Sequence, residues 1–211
     1  MNIMEEFDEE MIEEIEEKPI DLKKYFTEEI LKEILGYALT QFYKNDIDLM
    51  DYETEKAEAS ERCMVFHIGW YILEKIKNYN ILSMVNVDCE YNRNMGAPKK
   101  IKRIYNKSSN GQGSKRVIPD LLIHQRRSND NNLFVAEFKK ELNHDDFDEF
   151  KLKCFTSKED VYNYKFGAFI GLYRDKKATI RLYKNGKLST KWHYKMIKDS
   201  TGNIAWKITE E

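Results

Sequence analysis

Only three cysteines occur in this chain, Cys63, Cys89 and Cys154, and no two of them share the CxxC spacing of a zinc knuckle. An odd, scattered set excludes a disulfide framework, so all three are expected to be free and mostly buried thiols. Long apolar runs are missing too. The longest, MVFHIGWYIL from Met64, is about half of what a bilayer crossing requires and contains His67, so no membrane span is expected. The start of the chain, MNIMEEFDEEMIEEIEEK, lacks the basic and then apolar order of an export signal, which makes the cytoplasm the expected compartment. Charge of one sign is absent from two stretches: residues 1–17 contain no Lys or Arg, and residues 94–119 contain no acid.

What is present suits a globular protein. The 211 residues are 41% hydrophobic and 34% charged, enough to bury the core of one domain with accessories. A formal net charge of −2 argues against a general affinity for nucleic acid, so the distribution of charge carries the information. Acids crowd the first 17 residues, whereas Lys99, Lys100, Lys102, Arg103, Lys107, Lys115 and Arg116 crowd the second stretch.

Periodicity orders the elements. Ile30, Leu31, Ile34, Leu35 and Leu39 follow Thr27, an N-cap residue with Glu28 and Glu29 behind it, and predict a helix. A second helix is expected from about Thr54 to Asn78. The period then changes: MVNVDCEYN (84–92), VIPDLLIHQ (117–125) and LFVAEFK (133–139) read as strands, the last two joined by the turn RRSNDNN. A helix over roughly 145–155, two further strands around Asn185-Gly186, and a closing hairpin of KWHYKMI and NIAWKI complete the order. No internal repeat is visible. The expected fold is an α/β (α+β) sandwich with a central mixed sheet. It divides into an acidic helical extension over residues 1–50 and a main domain over residues 51–211.

Residues two apart on a strand share a face, so Glu137 and Lys139 project together. Pro119 marks a strand edge or bulge where Asp120 can be re-aimed, and a hairpin would set Asp120 beside Glu137. Two adjacent carboxylates need a cation, and Mg²⁺ or Mn²⁺ provides one while keeping waters for substrate phosphates. Such an ion polarises a phosphoryl oxygen while a nearby ammonium orients water or neutralises charge. The plainer alternative is an ion pair at a sheet end.

Pro119-Asp120 followed by Glu137-Phe138-Lys139 resembles the signature of the PD-(D/E)xK nuclease superfamily, whose fold is restriction-endonuclease-like. Glu-x-Lys also occurs at Glu16/Lys18 and Glu149/Lys151; only the copy at 137 ends an apolar strand behind a Pro-Asp strand. The resemblance spans about residues 57–173 and implies a metal-dependent nuclease, most often acting on DNA. It implies Asp120 and Glu137 as metal ligands, Lys139 as the residue positioning water, and Glu61 as an auxiliary acid or third ligand. Glu61 shares a helix stripe with Val65, Ile68 and Ile72, though a first-turn Glu stabilised by the helix dipole reads the same way. A non-catalytic binding module of the same fold and a structured-RNA nuclease are the rival readings.

The basic stretch, from Lys99 through Lys100, Lys102, Arg103, Lys107 and Lys115 to Arg116, leaves the sheet beside this site and is expected to contact phosphates. The acidic start has three readings: a solvated amphipathic helix, a contact with a partner protein or second copy, or an arm covering the basic groove.

Overall fold

In the computed structural model, residues 20–50, 59–101, 115–141 and 145–211 are described. Asp21 caps a single turn, α1 (Leu22–Tyr25), and Thr27 caps α2 (Glu28–Asn45), its Oγ1 accepting from the Ile30 N–H at 3.4 Å. Ser60 caps α3 (Glu61–Ile76), so this helix begins later than its apolar pattern suggested; residues 51–58 lie outside the described part. The strands follow. β1 (Asn86–Cys89) is shorter than expected, and two small ribbons come next, β2 (Arg93–Asn94) with β3 (Ala97–Pro98) and β4 (Lys100–Ile101) with β5 (Lys115–Arg116). β6 (Leu121–His124) and β7 (Phe134–Lys140) form the expected hairpin, α4 (Asp146–Thr156) follows, and β8 (Phe166–Tyr173), β9 (Lys177–Lys184), β10 (Lys187–Lys198) and β11 (Ile204–Glu210) close the chain.

Seven strands make one mixed sheet in the order β1-β6-β7-β8-β9-β10-β11. Every pair is antiparallel except β7 with β8, which is why the connection between those two contains a helix. Asn185 and Gly186, with φ of 51° and 75°, turn β9 into β10 in the left-handed pair that a two-residue hairpin demands. The terminal hairpin begins earlier than the sequence indicated, because β10 pairs along its length with β9 as well as with β11 and so extends the main sheet.

Period-2 alternation gives each face its own core. Phe134, Ala136, Phe138, Ala168, Ile170, Ile180, Leu182, Trp192 and Tyr194 point to the side covered by α2 and α3. Leu122, Val135, Phe169 and Tyr183 point to the side where α4 supplies Leu152 and Phe155. Buried residues between Leu22 and Met50 contribute to the first of these cores. Gly69 permits the close approach of α3: a Cβ there would lie 3.0 Å from Cys89 Sγ and 3.3 Å from Leu121. The three thiols are free, with Cys154 buried and Cys63 and Cys89 half-buried. Among the described residues no helix is long and apolar enough to cross a membrane.

Candidate active site

The hairpin register carries Asp120 to Glu137. Leu121 pairs with Ala136, so the residue before β6 lies against the next residue of β7, and Asp120 Oδ2 accepts from the Phe138 N–H at 2.8 Å. The Asp120 carbonyl accepts from the Glu90 N–H at 3.0 Å, which ties it to the end of β1. Glu137 is buried, 1% exposed. From the opposite side of the sheet, α3 brings Glu61, whose Oε1 accepts from the Lys140 N–H at 3.2 Å and whose Oε2 lies 3.5 Å from Lys139 Nζ. Lys140 Nζ in turn donates to the Ala59 carbonyl at 2.6 Å. The four residues singled out in the sequence thus meet at the end of β7.

Two further residues join them from α4. Lys151 Nζ lies 2.8 Å from Glu137 Oε2 and 2.7 Å from Asp148 Oδ1, and Asp148 Oδ2 lies 3.4 Å from Lys139 Nζ. Lys151 and Asp148 are both buried. The second Glu-x-Lys, Glu149/Lys151, therefore supplies the site with its lysine while Glu149 turns away to Arg181. A signal existed in the sequence. Asp148 and Lys151 are three residues apart on the stripe that buries Leu152 and Phe155, and charges on an apolar stripe need partners.

Burial is the largest influence on Glu137 and lifts its carboxyl well above the usual range, with Asp120 adding to the effect and Lys151 opposing it. Burial also raises Asp120, against the Phe138 N–H and Lys151. Burial alone would lower Lys151 and Lys139; the carboxylates facing them outweigh it, Glu137 and Asp148 for Lys151, Asp148 and Glu61 for Lys139, so both ammonium groups are stabilised. A rise at Glu137 and a rise at Lys151 are compatible because Asp148 gives Lys151 a second counter-charge. Lys139 is thus favoured in its charged form.

Glu137 Oε1 is buried and has no hydrogen-bond partner. An orphaned carboxylate oxygen beside a second carboxylate, Asp120, is a hard-oxygen donor pair, and one or two carboxylates with waters and substrate phosphates suit Mg²⁺. The residues fit such an ion. Among the described residues no group of three or more His, Cys, Asp or Glu is arranged to hold a metal. The Glu61 carboxylate is turned to Lys139 and Lys140. An open cleft of about 530 Å³ is lined by Ser60, Glu61, Arg62, Val65, Ile118 and Asp120.

Only part of the basic stretch lies among the described residues. Lys99 is 2% exposed; its Nζ donates to the Arg93 carbonyl at 2.6 Å and sits over the rings of Tyr91 and Tyr162. Burial pushes this lysine down to about 8, and it does not present its charge to a phosphate. Lys100 and Arg116 are exposed on the small β4–β5 ribbon, whereas Lys102, Arg103, Lys107 and the Lys115 side chain lie outside the described part, as do residues 1–19 with their acidic run. His124 is a core residue: its Nε2 lies 2.9 Å from Asp88 Oδ2, and Arg126 also binds Asp88. His67 faces Asp46 at 3.1 Å, and Glu90 pairs with Arg62 at 2.5 Å. Comparison with protein-family models, with curated proteins and with solved structures gives no match to this chain.

Proposed function

We propose that the chain is a metal-dependent nuclease of the restriction-endonuclease-like, PD-(D/E)xK type that hydrolyses phosphodiester bonds, with DNA as its substrate. The observation that carries the reading is the orphaned, buried Glu137 Oε1 beside Asp120, at a point where Lys139 and Glu61 also converge. Glu137 is buried together with Asp148 and Lys151, and an unpartnered carboxylate oxygen there is costly unless a bound cation completes it.

Hydrolysis requires a water oxygen to bond to phosphorus, the bond from phosphorus to the leaving oxygen to break, and a proton to pass from the water to the leaving group. Asp120 and Glu137 would hold Mg²⁺ or Mn²⁺, which when bound polarises a phosphoryl oxygen and acidifies water. Lys139, held charged by Asp148 and Glu61, neutralises negative charge that builds on the phosphate and orients the attacking water. Glu61 positions Lys139 and clamps the β7 backbone through Lys140. Lys151 offsets one oxygen of Glu137 and leaves the other open.

A second reading has its own support. The Lys151 ammonium already compensates Glu137 and Asp148, as it would in a binding module that keeps the fold without turnover. Incubation of plasmid, single-stranded DNA and RNA with Mg²⁺ or Mn²⁺ separates the two. Cleavage lost in Lys139→Ala and Asp120→Ala supports the nuclease. Cleavage that persists in both variants, or is absent in wild type, removes the assignment.

A further inference from the structure

The α4 side of the sheet carries a second array of charge beyond the helix. Lys195 pairs in register with Lys177 on one side and with Lys207 on the other, which sets three lysines side by side on β9, β10 and β11. The row beside it runs from Lys139 through Gly171, Thr179 and His193 to Thr209. A third row begins at Glu137 and passes Phe169 to reach Arg181 and Lys191. Directly paired residues share a face, so the lysine row lies on the same face as Glu137 and Lys139 and about 7 Å along the strands from the Lys139 row.

Lys177, Lys195 and Lys207 are exposed. Asp175 accepts from Lys177, and Glu211 lies 3.2 Å from Lys191 and 3.3 Å from His193. Lys195 and Lys207 make no ion pair among the described residues. Like charges directly opposite one another destabilise a sheet, and this row sets three of them together in a chain of net charge −2. A polyanion removes that repulsion. Neighbouring lysines about 4.8 Å apart on long arms can reach successive phosphates of one strand, and the hydroxyls of Thr179 and Thr209 between the charged rows suit phosphate oxygens.

We infer that the outer α4-side face of β9–β11, with Lys177, Lys195 and Lys207 at its centre, is the track on which the phosphate backbone of a nucleic acid lies as it enters the site at Asp120, Glu137 and Lys139. The direction of the track rests on the nuclease reading; the binding face does not. Contacts of this kind carry no base readout, so the affinity is sequence-independent and falls steeply with salt.

Fluorescence anisotropy of labelled duplex and single-stranded oligonucleotides, without divalent cation and over a salt series, tests the inference. Compared are the wild type, Lys195→Gln/Lys207→Gln, and Lys44→Gln as a control on exposed α2 surface. The double variant is expected to bind at least tenfold more weakly at low salt and to lose about two from the slope of log affinity against log salt. Its Tm should equal or exceed that of wild type, which separates lost binding from lost folding. Affinity and slope equal to those of Lys44→Gln would overturn the inference. Binding only to phosphatidylserine vesicles, lost in the double variant, would also overturn it and assign the row to a lipid surface. Lysine-dependent binding without cleavage would leave the track standing and remove the catalytic reading, whereas cleavage with lysine-independent binding would do the reverse.

Discussion

Lys151→Met isolates what the cation at Glu137 does. The substitution keeps the length and apolar stem of the side chain and removes an ammonium that lies 2.8 Å from Glu137 and 2.7 Å from Asp148. Both carboxylates are buried, and removing one partner of a buried pair costs about 3–5 kcal/mol because the remaining charge is uncompensated. For a chain of this size a loss of 1 kcal/mol lowers Tm by roughly 2–4 °C, so a fall of roughly 6–20 °C is expected near neutral pH. The pH dependence has a defined sign. Glu137 and Asp120 have carboxyls raised above the usual range, so the folded state holds protons that the unfolded chain has released, and each destabilises the fold as pH rises through that interval. Without Lys151 the opposing attraction disappears and the slope steepens; the cost of the substitution therefore shrinks towards acid, where the carboxyls are protonated. Thermal unfolding followed between pH 5 and 8, with and without Mg²⁺, is the assay. Under the nuclease reading millimolar Mg²⁺ raises the Tm of the variant, since a ligand that binds only the folded state stabilises it. A cost independent of pH would show that Lys151 serves only as packing, and a Tm indifferent to Mg²⁺ and Mn²⁺ would refute the metal assignment of Asp120 and Glu137.

Four other outcomes follow from the same geometry. Glu137→Gln should abolish cleavage together with any Mg²⁺-induced rise in Tm, while Asp148 keeps Lys151 paired; metal stabilisation surviving in this variant would count against Glu137 as a ligand. Lys139→Gln should abolish cleavage yet cost at most about 1 kcal/mol in stability, because its ammonium is part-exposed and weakly paired, as denaturant titration can verify. Lys99→Met should stabilise the protein, by roughly 3 kcal/mol at most, below the lowered value of about 8; the gain should fade as pH rises from there towards the ordinary lysine range, where the unfolded chain alone is charged. Asp88→Asn should cost about 2–3 kcal/mol near neutral pH, since hydrogen bonds from Arg126 and His124 outweigh burial and hold this carboxyl well below its usual range. That stability is present above the ordinary carboxylate range and is lost as pH falls towards the lowered value, so the cost of Asp88→Asn should fall in acid.

The sheet and its two helical layers were legible because alternation in LFVAEFK, KFGAFIGLY and ATIRLYKNG and the stripe behind Thr27 are strong, local signals. Asp120, Glu137 and Lys139 were legible for the same reason: strand period and a hairpin turn are enough to bring them together. Lys151 was legible only as a charge on an apolar stripe in need of a partner; that the partner is Glu137 depends on how α4 docks, which no local pattern encodes. Lys99 failed in the other direction. Its place in a run of cations suggested solvent, but its ammonium sits over the rings of Tyr91 and Tyr162 and donates to the Arg93 carbonyl, a tertiary arrangement that charge counting cannot anticipate. The lysine row lay between these extremes. Each lysine is visible as the outward residue of an alternating strand, yet their alignment depends on register, and a bulge between Leu188 and Thr190 shifts the count that a turn-based alignment of β9 and β10 would give.

The placement of both charged arrays follows from one mismatch of dimensions. A helix is about 10–12 Å across and covers roughly two strand spacings of about 4.8 Å, whereas this sheet has seven strands. Two helices, α2 and α3, share the first face and allow its centre to be apolar, as Ala136, Ile170, Ile180, Trp192 and Tyr194 are. Among the described residues the second face is covered by α4 and the small β4–β5 ribbon, whose Ile101 joins Leu122 and Tyr162. Strand residues that α4 reaches are apolar, Val135, Phe169 and Tyr183. Those at its margin are charged residues that its own polar side chains partner, Glu137 with Lys151 and Lys139 with Asp148. Those beyond it, Lys195 and Lys207, face water. The same alternation that builds the core thus yields, in order along one face, a dry layer, an ion-paired rim and a basic surface. Under the nuclease reading a substrate with a charged backbone would meet them in reverse, crossing the solvated lysines before the buried carboxylates, and this arrangement predicts that cleavage will lose about two from its salt slope in Lys195→Gln/Lys207→Gln while Lys139→Gln takes at most about one from the salt slope of binding.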